Sequence, residues 1–105
     1  MIYKTSETGI EIDGVFYSVG MTIVGTNQSE YQGLIGNITE IRTDPDKDTE
    51  NEGPDIYCTF EAPDDPAAVK ELEAIFSDLY DEPKTIDDII LDEVIMAPCM
   101  IRASQ

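Results

Sequence analysis

The sequence predicts an α+β fold: a small, strongly bent antiparallel sheet or partly open barrel, one amphipathic helix, and a short second helical turn. Three observations carry this. The first sixty residues hold short β-rich runs punctuated by glycine, "GIEIDGVFYSV", "MTIVGT" and "GNITEIRT". One later stretch, "DDPAAVKELEAIFSDLY", repeats its apolar residues at helical spacing. The 105 residues, 41% of them apolar, suit a single domain over 1–105 with one modest core.

The elements follow in order. Asp13-Gly14 supplies the positive φ angles of a tight hairpin turn between two short strands. "MTIVGT" is a further strand closed by Gly25. In "YQGLIGNITEIRT", Gly36 reads as a bend and Asn37 to Arg42 as a strand; the isoleucines at 35, 38 and 41 do not alternate, so the register stays open. "DIYCTF" places Ile56, Cys58 and Phe60 on one face of a half-buried strand. Asp65 caps a helix with Pro66 in its first turn, and Val69, Leu72, Phe76 and Leu79 form its apolar stripe, widened by Ile75 and Tyr80. Pro83 stops it. Thr85 with Asp88 makes an acidic capping box for a short helical turn, and Val94 to Met96 reads as the last strand.

Composition narrows the chemistry. The chain has no histidine, which removes the commonest general base and transition-metal ligand, and with them histidine-activated serine, threonine or cysteine nucleophiles. Adjacent acids such as Asp87/Asp88 and Asp92/Glu93 do acid–base work only if one is buried with a raised pKa, and the sequence carries no such signal. Cys58 and Cys99 lie outside any CxxC spacing and read as reduced, mostly buried thiols in a cytosol, or as one disulfide in an exported protein. The longest apolar stretch, "VIMAPCMI", is far too short for a bilayer, and the N-terminus lacks the order of a signal peptide. A cytoplasmic, non-enzymatic protein without cofactor or metal is expected.

The net charge of −17 is uneven. Residues 1–42 hold five acids and two bases, residues 43–93 eighteen and three, and residues 94–105 a single arginine. Such a field repels nucleic acid and anionic membrane and attracts basic surfaces.

"YQGLIGNITEI", Tyr31 to Ile41, resembles the KOW-type segment of SH3-like barrels, in which a glycine after an apolar pair lets a strand bend around the barrel. The resemblance implies an SH3/KOW-like barrel. KOW modules contact RNA or ribosomal surface through basic residues, whereas this segment adjoins only Arg42. The whole chain, with "DKDTENEGPDIYC" and "LDEVIMAP", is similar to small acidic proteins of Gram-positive mobile elements, among which anti-CRISPR proteins against type II-A effectors are found. That similarity implies an inhibitor of a Cas9-type nuclease and brings no functional residue onto this chain.

"TDPDKDTENEGPD", Thr43 to Asp55, admits three readings. As a calcium loop, Asp44, Asp46, Asp48, Glu50, Glu52 and Asp55 fall at positions 1, 3, 5, 7, 9 and 12, but Thr49 stands where a glycine turn is needed and the flanks read as strands. As a solvated hairpin connection it needs no function, because Asp, Asn, Gly and Pro form turns. As part of an anionic surface it joins Glu71, Asp78, Asp81 and Glu82 of the helix. There, Glu71 is followed at i+4 by Ile75 and Asp78 by Glu82 rather than by a base, and acids crowd the negative end of the helix dipole. The expected function is an acidic binding or inhibitor protein, presenting these ten carboxylates to the basic groove of a nucleic-acid-handling bacterial protein. A structural or adaptor module with an incidental acidic surface is the alternative, and a calcium-binding loop protein the third.

Overall fold

The computed structural model describes residues 1–5, 8–50 and 52–104. Among them, eight strands and one helix form an α+β fold: β1 (Ile2–Tyr3), β2 (Gly9–Ile12), β3 (Val15–Ser18), β4 (Thr22–Gly25), β5 (Ile35–Arg42), β6 (Asp55–Phe60), α1 (Pro66–Tyr80), β7 (Val94–Met96) and β8 (Ile101–Ala103). The main sheet runs β7-β6-β5-β4-β8, with every neighbour antiparallel. The edge of β5 that β4 covers near Asn37 is taken over by β1 near Arg42. The path ends at β7 and β8, so the sheet stays open and no closed barrel forms among the described residues. The last strand is β8, not β7, because the 3₁₀ turn Pro98–Met100 redirects the chain onto β4.

β2 and β3 form a separate hairpin through Asp13 (φ 49°) and Gly14 (φ 84°), the two positive φ angles expected of this dipeptide. Its Tyr17, with Val19 just beyond β3, enters the common core. That core centres on Ile23, Ile38, Ile41, Ile56, Cys58 and Met96, all essentially inaccessible to solvent. Ile56, Cys58 and Phe60 share the buried face of β6, as the alternation predicts.

β5 settles the register the sequence left open. Ile38 pairs with Cys58 and Glu40 with Tyr57, leaving Thr39 as an extra residue in a bulge. The bulge shifts the side-chain phase, so Ile38 and Ile41 both face inward despite an odd spacing. Gly36 is not a bend: it lies inside β5, between Ile23 and Phe60. A Cβ there would stand 2.4 Å from the Thr59 carbonyl oxygen, so the position requires glycine for close backbone approach.

α1 begins as expected, with the Asp65 carboxylate accepting from the Ala67 N–H at 3.1 Å and Pro66 in the first turn. It ends at Tyr80, and Asp81 closes it in the left-handed region at φ 54°. The helix docks through Phe76, whose ring meets Tyr31 edge-on at 5.4 Å; Tyr31 in turn stacks on Phe60 at 4.9 Å. Only Leu72 and Phe76 are buried, and Val69 is half-buried. Ile75, Leu79 and Tyr80, read from the sequence as part of the covered stripe, are exposed. The capping box at Thr85 and Asp88 forms and starts the 3₁₀ turn Ile86–Asp88. Both cysteines are free; Cys58 is buried, its thiol pushed up to about 12 by that burial, whereas Cys99 is exposed. No helix among the described residues is long and apolar enough to cross a membrane.

Candidate functional site: an acidic surface in two parts

The connection from β5 to β6 holds the first group of acids. Its organiser is Asp55, the first residue of β6, which has no solvent exposure. One Asp55 oxygen accepts from the backbone N–H of Asp48 (2.7 Å) and of Thr49 (2.9 Å), and the other accepts from the Thr49 hydroxyl. Burial pushes this carboxyl up, but those three donors outweigh it and leave the group below its ordinary value. A carboxylate facing inward onto its own loop is not a partner-binding residue, which corrects the sequence expectation for Asp55.

The neighbouring acids are also engaged within the molecule. Asp46 lies 2.6 Å from the N-terminal ammonium of Met1, which also donates to the Thr43 carbonyl. Asp48 accepts from the Tyr57 hydroxyl and from Arg42 Nη1 at 3.2 Å. Burial, and then that bond to Asp48, push Tyr57 up to about 12. Arg42 also pairs with Glu40 and stacks over the Tyr57 ring, 5.0 Å from its centroid. Asp46, Asp48 and Asp55 are thus directed to three different partners, and the alternate oxygens of a calcium loop do not converge. Among the described residues no three acidic or sulfur side chains form a metal-holding group. Asp44, Glu50 and Glu52 remain exposed on the outside of the connection.

The second group lies on α1. Glu71 and Asp78 are exposed on one flank, about 10.5 Å apart along the axis. Asp81 is exposed in the left-handed cap, a conformation that aspartate tolerates better than most residues, and its N–H bonds to the Ser77 carbonyl. Glu82 forms an ion pair with Lys84 at 2.7 Å. The acids at this helix end therefore have partial local compensation that the sequence pattern did not reveal. Asp88 accepts from the Thr85 N–H and hydroxyl, which hold its carboxyl below the usual range, opposite to what a general acid needs.

The two groups do not merge. Arg42 and Asp55 close one end of the β5–β6 hairpin, and Gly36 and Phe60 close the other, about 17 Å away at strand rise. α1 belongs to the far end, where Ile35 and Glu61 line a depression with Glu71. Ile75 and Leu79, which helical spacing places in the core, instead line that flank in the open, a setting the sequence pattern does not reveal. Their spacing at i and i+4, beyond the Leu72–Phe76 pair, shows an apolar arc wider than a single contact line. Comparisons with protein-family models, with curated proteins and with solved structures gave no match.

Proposed function

We propose that this chain is a non-enzymatic acidic binding protein whose α1 flank and outer β5–β6 connection engage a basic surface on a nucleic-acid-handling protein. One observation carries the reading: Glu71 and Asp78 stand exposed on the same helix flank, and no lysine or arginine lines the depressions they border. Carboxylates held about 10.5 Å apart on a rigid helix imitate alternate phosphates of a nucleic-acid strand, each with one negative charge. A channel that sheds counterions when it binds DNA or guide RNA responds to the same field. The resemblance drawn from the sequence implies a Cas9-type nuclease, which is therefore the first target to test.

The experiment is a binding titration of the chain against a Cas9-type effector over a range of sodium chloride. Affinity is expected to fall steeply with salt, and the double change Glu71→Lys with Asp78→Lys is expected to weaken it by at least about tenfold. Unchanged affinity in that variant, at low and high salt alike, overturns the reading. The adaptor alternative predicts a protein partner whose binding ignores both salt and charge reversal.

A further inference from the structure

We propose that the flank of α1 beside the start of β5 is a docking groove for a basic amphipathic helix of a partner protein. The proposal deepens the acidic-surface reading and rests on it, but adds an apolar contact that phosphate imitation does not require.

Ile75 joins the two parts of the groove. It lines two depressions, one shared with Ile35 of β5 and the other with Leu79 one turn further along α1. Ile35, Ile75 and Leu79 expose 48%, 41% and 56% of their surface, so three large aliphatic side chains form one open strip. Single exposed aliphatics need no explanation, whereas a contiguous strip with a polar rim marks an interaction surface. Glu61, Asp64 and Glu71 border the first depression, and Glu30 and Asp78 the second. Neither is lined by a base. From Ala68 to Leu79 the strip follows about 16 Å of helix, which matches about three turns of a second helix laid alongside.

Charge decides the occupant. A second copy of this chain brings another −17 and sets acid against acid, and nucleic acid or an anionic membrane is repelled in the same way. A helix with aliphatic residues at i, i+3 or i+4 and i+7, flanked by lysine or arginine, satisfies both the strip and the rim. The tip of the β2–β3 hairpin makes a useful contrast. Val15 and Phe16 are exposed there as well, but they line neither depression.

The test uses two fluorescent peptides of equal length: a 14-residue leucine–lysine peptide patterned as an amphipathic helix, and an oligolysine. Binding is measured at about 0.15 M and about 0.5 M sodium chloride, where exposed charges are progressively screened. The amphipathic peptide is expected to bind at both salt concentrations and the oligolysine only at the lower one. Ile75→Ser with Leu79→Ser, which leaves net charge unchanged, is expected to weaken the amphipathic peptide by at least about tenfold. It should change oligolysine binding less than about twofold, and Val15→Ser with Phe16→Ser should change neither. Equal binding of both peptides, with no effect of the Ile75/Leu79 change, overturns the groove and leaves the acidic surface standing. Failure of both peptides at the lower salt overturns both. Equal weakening by the hairpin-tip variant also overturns the groove, because attraction to any exposed apolar residue then accounts for binding.

Discussion

Asp55 shows how one buried carboxylate organises a highly charged connection. Its oxygens gather the Asp48 and Thr49 N–H groups and the Thr49 hydroxyl, so these two residues are held against the start of β6 without apolar packing of their own. Asp55→Asn keeps one carbonyl oxygen for the two N–H groups and turns the other position into an amide donor to the Thr49 hydroxyl, so charge-assisted bonds become weaker neutral ones. It is expected to lower unfolding free energy by about 1–3 kcal/mol in urea titrations. The pH dependence has a definite sign. The folded-state pKa lies below the unfolded value, so the stabilisation is present above the ordinary carboxylate value and is lost as pH falls through the folded one. Below about pH 4, the amide resonances of Asp48 and Thr49 should shift ahead of those of core residues such as Ile38 in wild type. That early shift should be absent in Asp55→Asn. Nothing local distinguishes Asp55 from the five acids before it; only the pairing of Arg42 with Asp55 at the sheet end places it inside.

At the scale of the element, α1 has more apolar surface than the sheet covers. Phe76 meets the Tyr31 ring of the Tyr31–Phe60 stack, Leu72 is buried in the same core, and the segment after the helix lies on the Tyr80 side, where Lys84 sits 5.2 Å from the Tyr80 ring. The opposite flank, carrying Ile75 and Leu79, stays open. Leu72→Ala is therefore expected to cost about 2–5 kcal/mol, whereas Leu79→Ala should cost less than about 1 kcal/mol, both measured by thermal or urea unfolding. Equal costs would mean that Leu79 is covered in solution. The helix start was legible because Asp65 and Pro66 act within one turn. The hairpin turn at Asp13-Gly14 and the box at Thr85 and Asp88 were legible for the same reason. The bulge at Thr39 was not, because it depends on how β6 and β5 align across the 43–55 connection.

For the molecule as a whole, the ten acids singled out from the sequence divide between two ends of one hairpin rather than forming a single face. The β5–β6 connection neutralises part of its own field through Arg42 and the N-terminal ammonium, and the outer face of α1 leaves Glu71 and Asp78 facing solvent. A chain at −17 repels itself in the compact state. Its melting temperature is expected to rise with sodium chloride up to about 0.5 M, since the Debye length there is well below the separation of the two acid groups. A fall over that range would show that the internal ion pairs outweigh the self-repulsion.

The α+β class, the hairpin turn, the helix cap and the sign of the field were readable from residue order, because each follows from local sterics, hydrogen bonding or simple addition of charge. Which acids face inward, where β5 shifts register, and which side of α1 remains uncovered emerged only on folding. Those outcomes depend on contacts between residues far apart along the chain, and on whether the available sheet surface is wide enough to cover an apolar arc that the helix presents in full.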